Sequence, residues 1–172
     1  MRKESPVAWI KKIMVASVLA LSGCAQMPAF TMFFPGTEAV DVVPAGYSLD
    51  CGTQRPETTV RTLANADELQ QWQVSRGLKL LRDDAPRQGP YALIELGARA
   101  SGGYGLVVSR DAELRKNVLI LHATLFAPDS DHPGASQPSS PCALISMPPG
   151  LYRGVSVVDQ SGRVLANSLP GD

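Results

Sequence analysis

Net charge, aromatic side chains and long apolar runs are all scarce in this chain. Its 172 residues carry 16 basic and 16 acidic side chains, so the formal net charge is zero. A nucleic-acid-binding domain carries a basic patch or stripe, and we therefore predict no nucleic-acid partner. Aromatic residues make up only 6% of the chain, while glycine and proline number 15 and 14. This balance favours short strands and turns over a helical bundle.

Familiar catalytic motifs are missing as well. The chain has no Gly-x-Ser-x-Gly elbow, no phosphate-binding loop and no His-Glu-x-x-His helix motif. His122 lies in an apolar segment and is expected to be a packed core or sheet residue. His132, after Asp129-Ser130-Asp131, is expected to lie in a solvated loop; a loose metal site, a hydrolase or a small-ligand binder is the alternative. We predict a protein that is not an enzyme, with no catalytic residue, cofactor or metal ion.

The N-terminal residues have the layout of a secretory signal. Four basic residues lie within the first twelve positions, and the apolar run Ile13–Leu21 follows, broken only by Ser17. Such a basic region followed by a short apolar region is typical of a signal peptide. The run covers about nine residues, whereas a membrane-spanning helix needs roughly 20. We therefore predict that residues 1–23 are removed.

The run ends in Leu21-Ser22-Gly23-Cys24, which resembles the lipobox of bacterial lipoproteins. The resemblance implies that Cys24 becomes the acylated first residue of the mature chain, because its thiol is the nucleophile and Gly23 and Ser22 are small enough for the signal peptidase. Several acyl chains anchor a protein stably. Ala25, where Asp would favour the inner membrane, favours the outer membrane facing the periplasm. The alternative is a buried structural cysteine after an ordinary signal.

Cys51 and Cys142 remain once Cys24 is lipidated. An even pair in an oxidising compartment indicates a disulfide. The bridge would close a long loop, for which the chain-entropy model gives roughly 4–5 kcal/mol of stabilisation. Two separate buried thiols are the alternative, and a catalytic cysteine is the third.

The remaining chain is expected to hold one domain. We predict a tether over residues 24–37, a single β-rich domain over 38–167 and a tail over 168–172. The fold class is α+β, mainly antiparallel β, sandwich-like or barrel-like, with one helix near 66–76. Asn65 and Glu68 form the capping-box arrangement that begins this helix, and Gly77 ends it. Leu69, Trp72 and Val74 supply its apolar stripe.

Apolar runs between turn residues predict the strands. A first strand is expected to end at Pro44-Ala45-Gly46, and the last two strands to form a hairpin around Asp159–Gly162. Strand 117–126 is apolar on both faces, which predicts a central strand covered on both sides. The predicted strand ranges are 38–43, 91–96, 104–109, 117–126, 142–147, 152–158 and 163–166.

Two loops are the candidates for function. Ser101-Gly102-Gly103-Tyr104 joins two predicted strands, and adjacent glycines permit positive φ and a close backbone approach. Tyr104 can anchor a contact through its ring and hydroxyl. The alternative is a plain turn beside a core tyrosine. Residues 127–141 carry four prolines and form a long loop, of a length that is usually functional or mobile.

The Gly-Gly-Tyr loop and the segments after it resemble the PrcB C-terminal-like domain family over about residues 91–158. The matching features are the strand ending in Gly97, Ser101–Tyr104, strand Val118–Phe126, Pro133-Gly134, Ser140–Leu144, Pro148 and Tyr152. The chain departs from the family in having Ala100-Ser101 where the family tends to have Pro-Thr.

The resemblance implies a non-catalytic accessory or assembly subunit of a surface protease complex. Its expected partners are the membrane, through the lipid, and a protease or other envelope protein, through Ser101–Tyr104 and the loop 127–141. A protease inhibitor and a structural outer-membrane lipoprotein without a dedicated partner are the alternatives.

Overall fold

The computed structural model describes residues 36–131 and 133–168. The predicted signal peptide, Cys24, residues 25–35, His132 and residues 169–172 lie outside them. The described residues form nine strands and one helix: β1 (Thr37–Asp41), β2 (Val43–Ser48), β3 (Thr59–Leu63), α1 (Ala66–Arg76), β4 (Tyr91–Glu95), β5 (Gly105–Arg115), β6 (Val118–Phe126), β7 (Cys142–Ser146), β8 (Gly154–Val158) and β9 (Val164–Asn167).

The strands form two sheets. One has five strands in the order β1-β5-β6-β8-β9, and the other has four in the order β2-β7-β4-β3. Neighbouring strands are antiparallel except for β6 and β8, which run parallel. Neither sheet closes into a barrel within the described residues, so the predicted α+β fold is confirmed in its sandwich-like form.

A shared apolar core lies between the two sheets. Each sheet turns alternate side chains towards it, as strand geometry requires. In β6, for example, Leu119, Leu121 and Ala123 are buried while His122 and Thr124 are exposed. The buried members are Val42, Val60, Ala92, Ile94, Leu96, Leu106, Val108, Ala112, Leu119, Leu121, Ala123, Ala143, Ile145, Met147, Val155 and Val157.

A second core lies on the other face of the four-stranded sheet, under α1 and the segment 78–85. Its buried residues are Ala45, Cys51, Leu63, Leu69, Trp72, Leu80, Ala85, Tyr91, Leu93, Cys142 and Leu144. As a result every residue of β4 and β7 is buried. The expectation that β6 is covered on both sides is wrong, because the helix covers only the four-stranded sheet and leaves the outer face of β6 half-buried or exposed.

Helix α1 has the predicted bounds, and its ends explain why. The Glu68 amide donates to Asn65 Oδ1 at 3.0 Å, and Glu68 Oε2 accepts from the Ala64 amide at 2.8 Å. Gly77 takes the left-handed conformation at φ 64°, and its N–H bonds to the last turn. These local contacts satisfy backbone groups that a helix end leaves unpaired.

The buried face of α1 differs from the prediction at one turn. Val74 is 68% exposed, so its expected place in the apolar stripe is wrong. The neighbouring Gln73 is buried instead, and its Oε1 accepts from the amides of Leu80 and Leu81 at 2.6 and 2.9 Å. The segment after the helix, which contains no strand, needs a polar side chain here to satisfy its buried N–H groups.

The chain crosses from one sheet to the other at Val42. Strand β1 pairs with β5 as far as Asp41, the Val42 amide donates to Arg110 O at 2.8 Å, and β2 then pairs with β7. The predicted strand end at Pro44 is wrong, because Pro44 lies within β2. It is tolerated there since β2 is an edge strand with a bulge between Pro44 and Gly46.

The β8–β9 hairpin matches the prediction. Two other features of the fold, strand β3 and the parallel pairing of β6 with β8, are absent from the predictions. Strand β3, with its β-branched Thr59, Val60 and Thr62, was not predicted. The parallel pairing of β6 with β8 arises because the chain passes through the other sheet as β7 between them.

Among the described residues, none of the structure's helices has the length and apolar character needed to cross a bilayer.

Candidate functional site

The two candidate loops lie side by side at one end of the sandwich. Loop 97–104 connects β4 to β5, and loop 127–141 connects β6 to β7. Since β4 pairs with β7 and β5 with β6 in antiparallel register, both loops leave and enter the sheets at adjacent positions. We call residues 97–104, 127–131 and 133–141 the paired loops.

Hydrogen bonds join residues 99–102 of the first loop to residues 135–139 of the second. The Gly102 amide donates to Ala135 O at 2.8 Å, and Ser139 Oγ donates to Ser101 O at 2.8 Å. Arg99 and Ser139 exchange two backbone hydrogen bonds, of 2.8 and 3.1 Å. The two loops therefore form one surface, which sequence reasoning could not establish.

Glycine is required where the paired loops cross. A Cβ on Gly134 would lie 1.9 Å from the carbonyl oxygen of Gly102, so no larger residue fits without a backbone shift. Gly103 has φ +84°, and a Cβ there would lie 3.1 Å from Gly134 Cα. The Gly-Gly sequence thus serves close packing between the loops as well as the turn itself.

The structure places the four predicted binding residues in different environments. Gly103 is exposed, Ser101 and Gly102 are half-buried against the other loop, and Tyr104 packs partly on the shared core. The guanidinium carbon of Arg99 lies 5.7 Å from the centre of the Tyr104 ring, within cation–π range. The surface that a partner could reach includes Gly103 and the exposed residues 135–138.

The paired loops are held to the disulfide region. Cys51 and Cys142 lie at disulfide distance, with Cα atoms 6.0 Å apart. The Cys51 amide donates to Ser140 O at 2.8 Å, and the Ser140 hydroxyl donates to the Asp50 carboxylate. That hydroxyl, with the Gly52 amide, lowers the pKa of Asp50 below its usual value. The predicted cysteine pair therefore fixes the end of loop 127–141.

An apolar groove lies next to the paired loops and was not foreseen from the sequence. It has a volume of about 240 Å³ and is lined by Tyr47, Ser48, Leu49, Gly105, Leu106, Val107, Pro141 and Cys142. Leu49 is 74% exposed and Val107 is 50% exposed. In the sequence, the groove is indicated only by apolar residues near the end of β2 and the start of β5.

A charged cluster lies next to Cys51, whose carbonyl oxygen accepts from Arg76 at 3.3 Å. Glu95, 7% exposed, lies 3.5 Å from an Arg76 nitrogen and 3.9 Å from an Arg61 nitrogen, and both guanidinium groups lie within 6 Å of the Trp72 ring centre. Arg76 also donates to Gly52 O at 2.7 Å. These contacts tie the helix end to β4 and to the loop after Cys51, which is a structural role.

His122, Asp83 and Asp84 each contact an ionisable neighbour on the described surface. His122 lies on the exposed face of β6 with its Nε2 3.6 Å from Glu113 Oε1, so it is a sheet residue and not part of the core. Asp83 and Asp84 form a turn and pair with Lys79 and Arg82 at 2.7 and 3.0 Å. Across residues 36–131 and 133–168, no group of three or more potential metal ligands comes together.

Comparison with known proteins returned no relative: no family model, no curated protein and no solved structure matches this chain.

Proposed function

We propose that this chain is a lipid-anchored envelope protein whose β-domain binds another envelope protein without catalysing a reaction. The paired loops are the contact surface, and the partner is a protease complex that the chain helps to assemble. Cys24 carries the lipid and places the domain at the outer membrane, facing the periplasm.

The observation that carries the proposal is the joining of the paired loops into one surface. Hydrogen bonds from Gly102 and Ser139 hold two long loops together over a disulfide-linked sheet. Loops on a rigid scaffold are where binding residues concentrate, and a fixed loop loses little conformational entropy on binding. The exposed stretch 135–138 gives a partner direct access to this surface.

Protease inhibition is the second candidate, because a fixed loop with an exposed glycine can enter a protease cleft in the same way. The two candidates differ in outcome: an assembly subunit raises the activity or amount of the protease complex, whereas an inhibitor lowers it. A titration of the purified chain into envelope protease activity separates them.

The paired loops are tested by site-specific cross-linking in intact cells. A photo-cross-linking amino acid at Gln137, exposed in loop 127–141, is expected to give one reproducible adduct with another protein. The matched control is the same amino acid at Gln71, which is exposed on α1, far along the chain from both loops. An adduct from both positions, or from neither, contradicts the proposal.

The anchor is tested separately. Replacing the predicted lipid-bearing residue, Cys24→Ala, is expected to move the protein from the membrane fraction to the soluble envelope fraction. An unchanged distribution contradicts lipidation at Cys24 while leaving the binding surface unaffected.

A further inference from the structure

Part of β5 has an edge that no described strand covers. β1 pairs with β5 only over Asp111–Arg115, because the chain leaves for the other sheet at Val42. Residues 105–108 pair with β6 on one side and with no described strand on the other. A strand edge of this kind presents unpaired N–H and C=O groups, which are a template for another strand.

Two usual protections of an edge are absent from this stretch. Natural edges are often blunted by charged side chains or by proline, whereas residues 105–108 read Gly-Leu-Val-Val. Beside the edge, Tyr47 and Leu49 at the end of β2 form an exposed apolar wall. Together they bound the groove of about 240 Å³ described above, which we call the edge groove.

The shape and chemistry of the edge groove select its occupant. Small-molecule sites usually enclose roughly 300–1,000 Å³, so the edge groove is small for a compact ligand. None of its lining residues is charged, so a charged group entering it would lose its hydration without gaining a partner. An extended segment can bond to the free edge while placing every second side chain against the apolar wall.

We propose that the edge groove binds an extended, uncharged segment of the partner protein by β-strand addition to residues 105–108. In the five-stranded sheet, the incoming strand takes the position beside β5 that β1 leaves after Asp41. This inference rests on the proposed binding function, since Gly105 directly follows Tyr104 and the same partner contacts the paired loops. The recognised segment is four or five residues long, apolar at alternate positions and free of proline.

A second copy of this chain is a weaker occupant. Stable interfaces use about 20–30 residues a side, and edge-to-edge pairing of two copies would bring together only the four residues 105–108 from each. A partner strand, in contrast, gains the adjacent paired loops as further contact area.

The test uses the full chain as bait and a phage-displayed library of random ten-residue peptides as probe. Enriched peptides are expected to be apolar at alternate positions and poor in charged residues, and a synthetic member should slow amide hydrogen exchange at residues 105–108. The double variant Leu49→Lys/Val107→Lys is expected to weaken the peptide at least ten-fold. Val164→Lys is the control, because Val164 is 51% exposed, like Val107 at 50%.

Leu49, Val107 and Val164 are all exposed, so the substitutions should leave the fold intact. Thermal unfolding of each variant checks this. The inference is overturned if the peptides slow amide hydrogen exchange only at residues 133–139. It is also overturned if they bind the double variant as tightly as the unsubstituted chain. So does concentration-dependent self-association that the double variant abolishes, because the occupant is then a second copy. Repeating the Gln137 cross-link in the Leu49→Lys/Val107→Lys variant separates the two proposals. If this variant no longer binds the peptide but still forms the adduct in undiminished yield, the partner does not use the edge groove. The proposed function of the paired loops then stands.

Discussion

The two sheets share one core but differ in what lies on their second faces. The four-stranded sheet is covered by α1 and the segment 78–85, so that Leu93 and Leu144 have no exposed surface. The five-stranded sheet leaves Val107, Phe126 and Val164 about half exposed. The disulfide joins the covered sheet, through Cys142, to the loop after β2. The difference divides the molecule into a stabilised side and a side with accessible apolar surface.

Strand β6 shows that an apolar sequence on both faces does not mean burial on both faces. β6 is apolar at most positions of both faces, yet only its inner face is buried. A strand is covered twice only when another element with an apolar face lies against it, and the one described helix lies against the other sheet. Sequence alternation therefore identifies the inner face, while the cover on the outer face depends on the whole fold.

Removing the disulfide is expected to have the largest effect and to test the stabilised side. The bridge closes a separation of 91 residues, for which the entropy model gives about 4–5 kcal/mol. The variant Cys51→Ala/Cys142→Ala should therefore unfold at much lower urea concentration than the oxidised protein. A change below about 1 kcal/mol would show that the four-stranded sheet does not depend on the bridge.

A matched pair of substitutions tests the difference between the two sheet faces that lie away from the shared core. Leu93 faces the helix side of β4 with no exposed surface, so Leu93→Ala is expected to cost about 3 kcal/mol through lost burial and a cavity. Ile120 is half-buried on the outer face of β6, and Ile120→Ala should cost about 1 kcal/mol. Equal losses in denaturant unfolding would mean that the outer face of β6 is covered in solution.

The cover of the four-stranded sheet can be loosened at a single polar residue. Gln73→Ala removes the acceptor for the Leu80 and Leu81 amides, and leaving a buried donor unpaired costs about 2 kcal/mol. Faster amide exchange should be confined to residues 78–85. The control is Gln71→Ala, an exposed glutamine on the same helix, which should change stability by less than about 0.5 kcal/mol.

The smallest expected effect is a pH dependence on the five-stranded side. Asp159, in the β8–β9 turn, has its pKa held at about 2, chiefly by the Ser161 hydroxyl and also by the Arg163 and Ser161 amides and the Arg163 charge. A lowered pKa means that the stabilisation is complete above the ordinary value of 3.8 and is lost as the pH falls towards 2. Asp159→Asn should remove this contribution, so the gap in unfolding midpoint between wild type and variant should narrow from pH 5 to pH 2. A constant gap contradicts the assignment.

Features fixed by neighbouring residues could be predicted from the sequence. Helix α1 has its expected bounds because Asn65, Glu68 and Gly77 act within one turn of its ends. The final hairpin and most strand positions follow from apolar runs between turn residues. The cysteine pair follows from the count of cysteines that remain besides Cys24, and Cys51 and Cys142 lie at disulfide distance.

Features fixed by the arrangement of the sheets could not be predicted. The inward turn of Gln73 depends on the amides of a segment seven and eight residues away. The meeting of the paired loops depends on the register of two strand pairs, and the edge groove on where the chain crosses at Val42. None of these leaves a periodic signal, because each depends on residues distant along the chain.

The position of β1 also determines how the domain would carry a mechanical load. Thr37 pairs with Arg115, whereas Gly105, next to the paired loops, lies at the far end of β5. A pull applied between residue 36 and a partner held at the loops would act nearly along the strands. Such a force shears all five β1–β5 residue pairs together and does not open them one at a time. Extension between residue 36 and the paired loops would therefore load the β1–β5 pairing in shear.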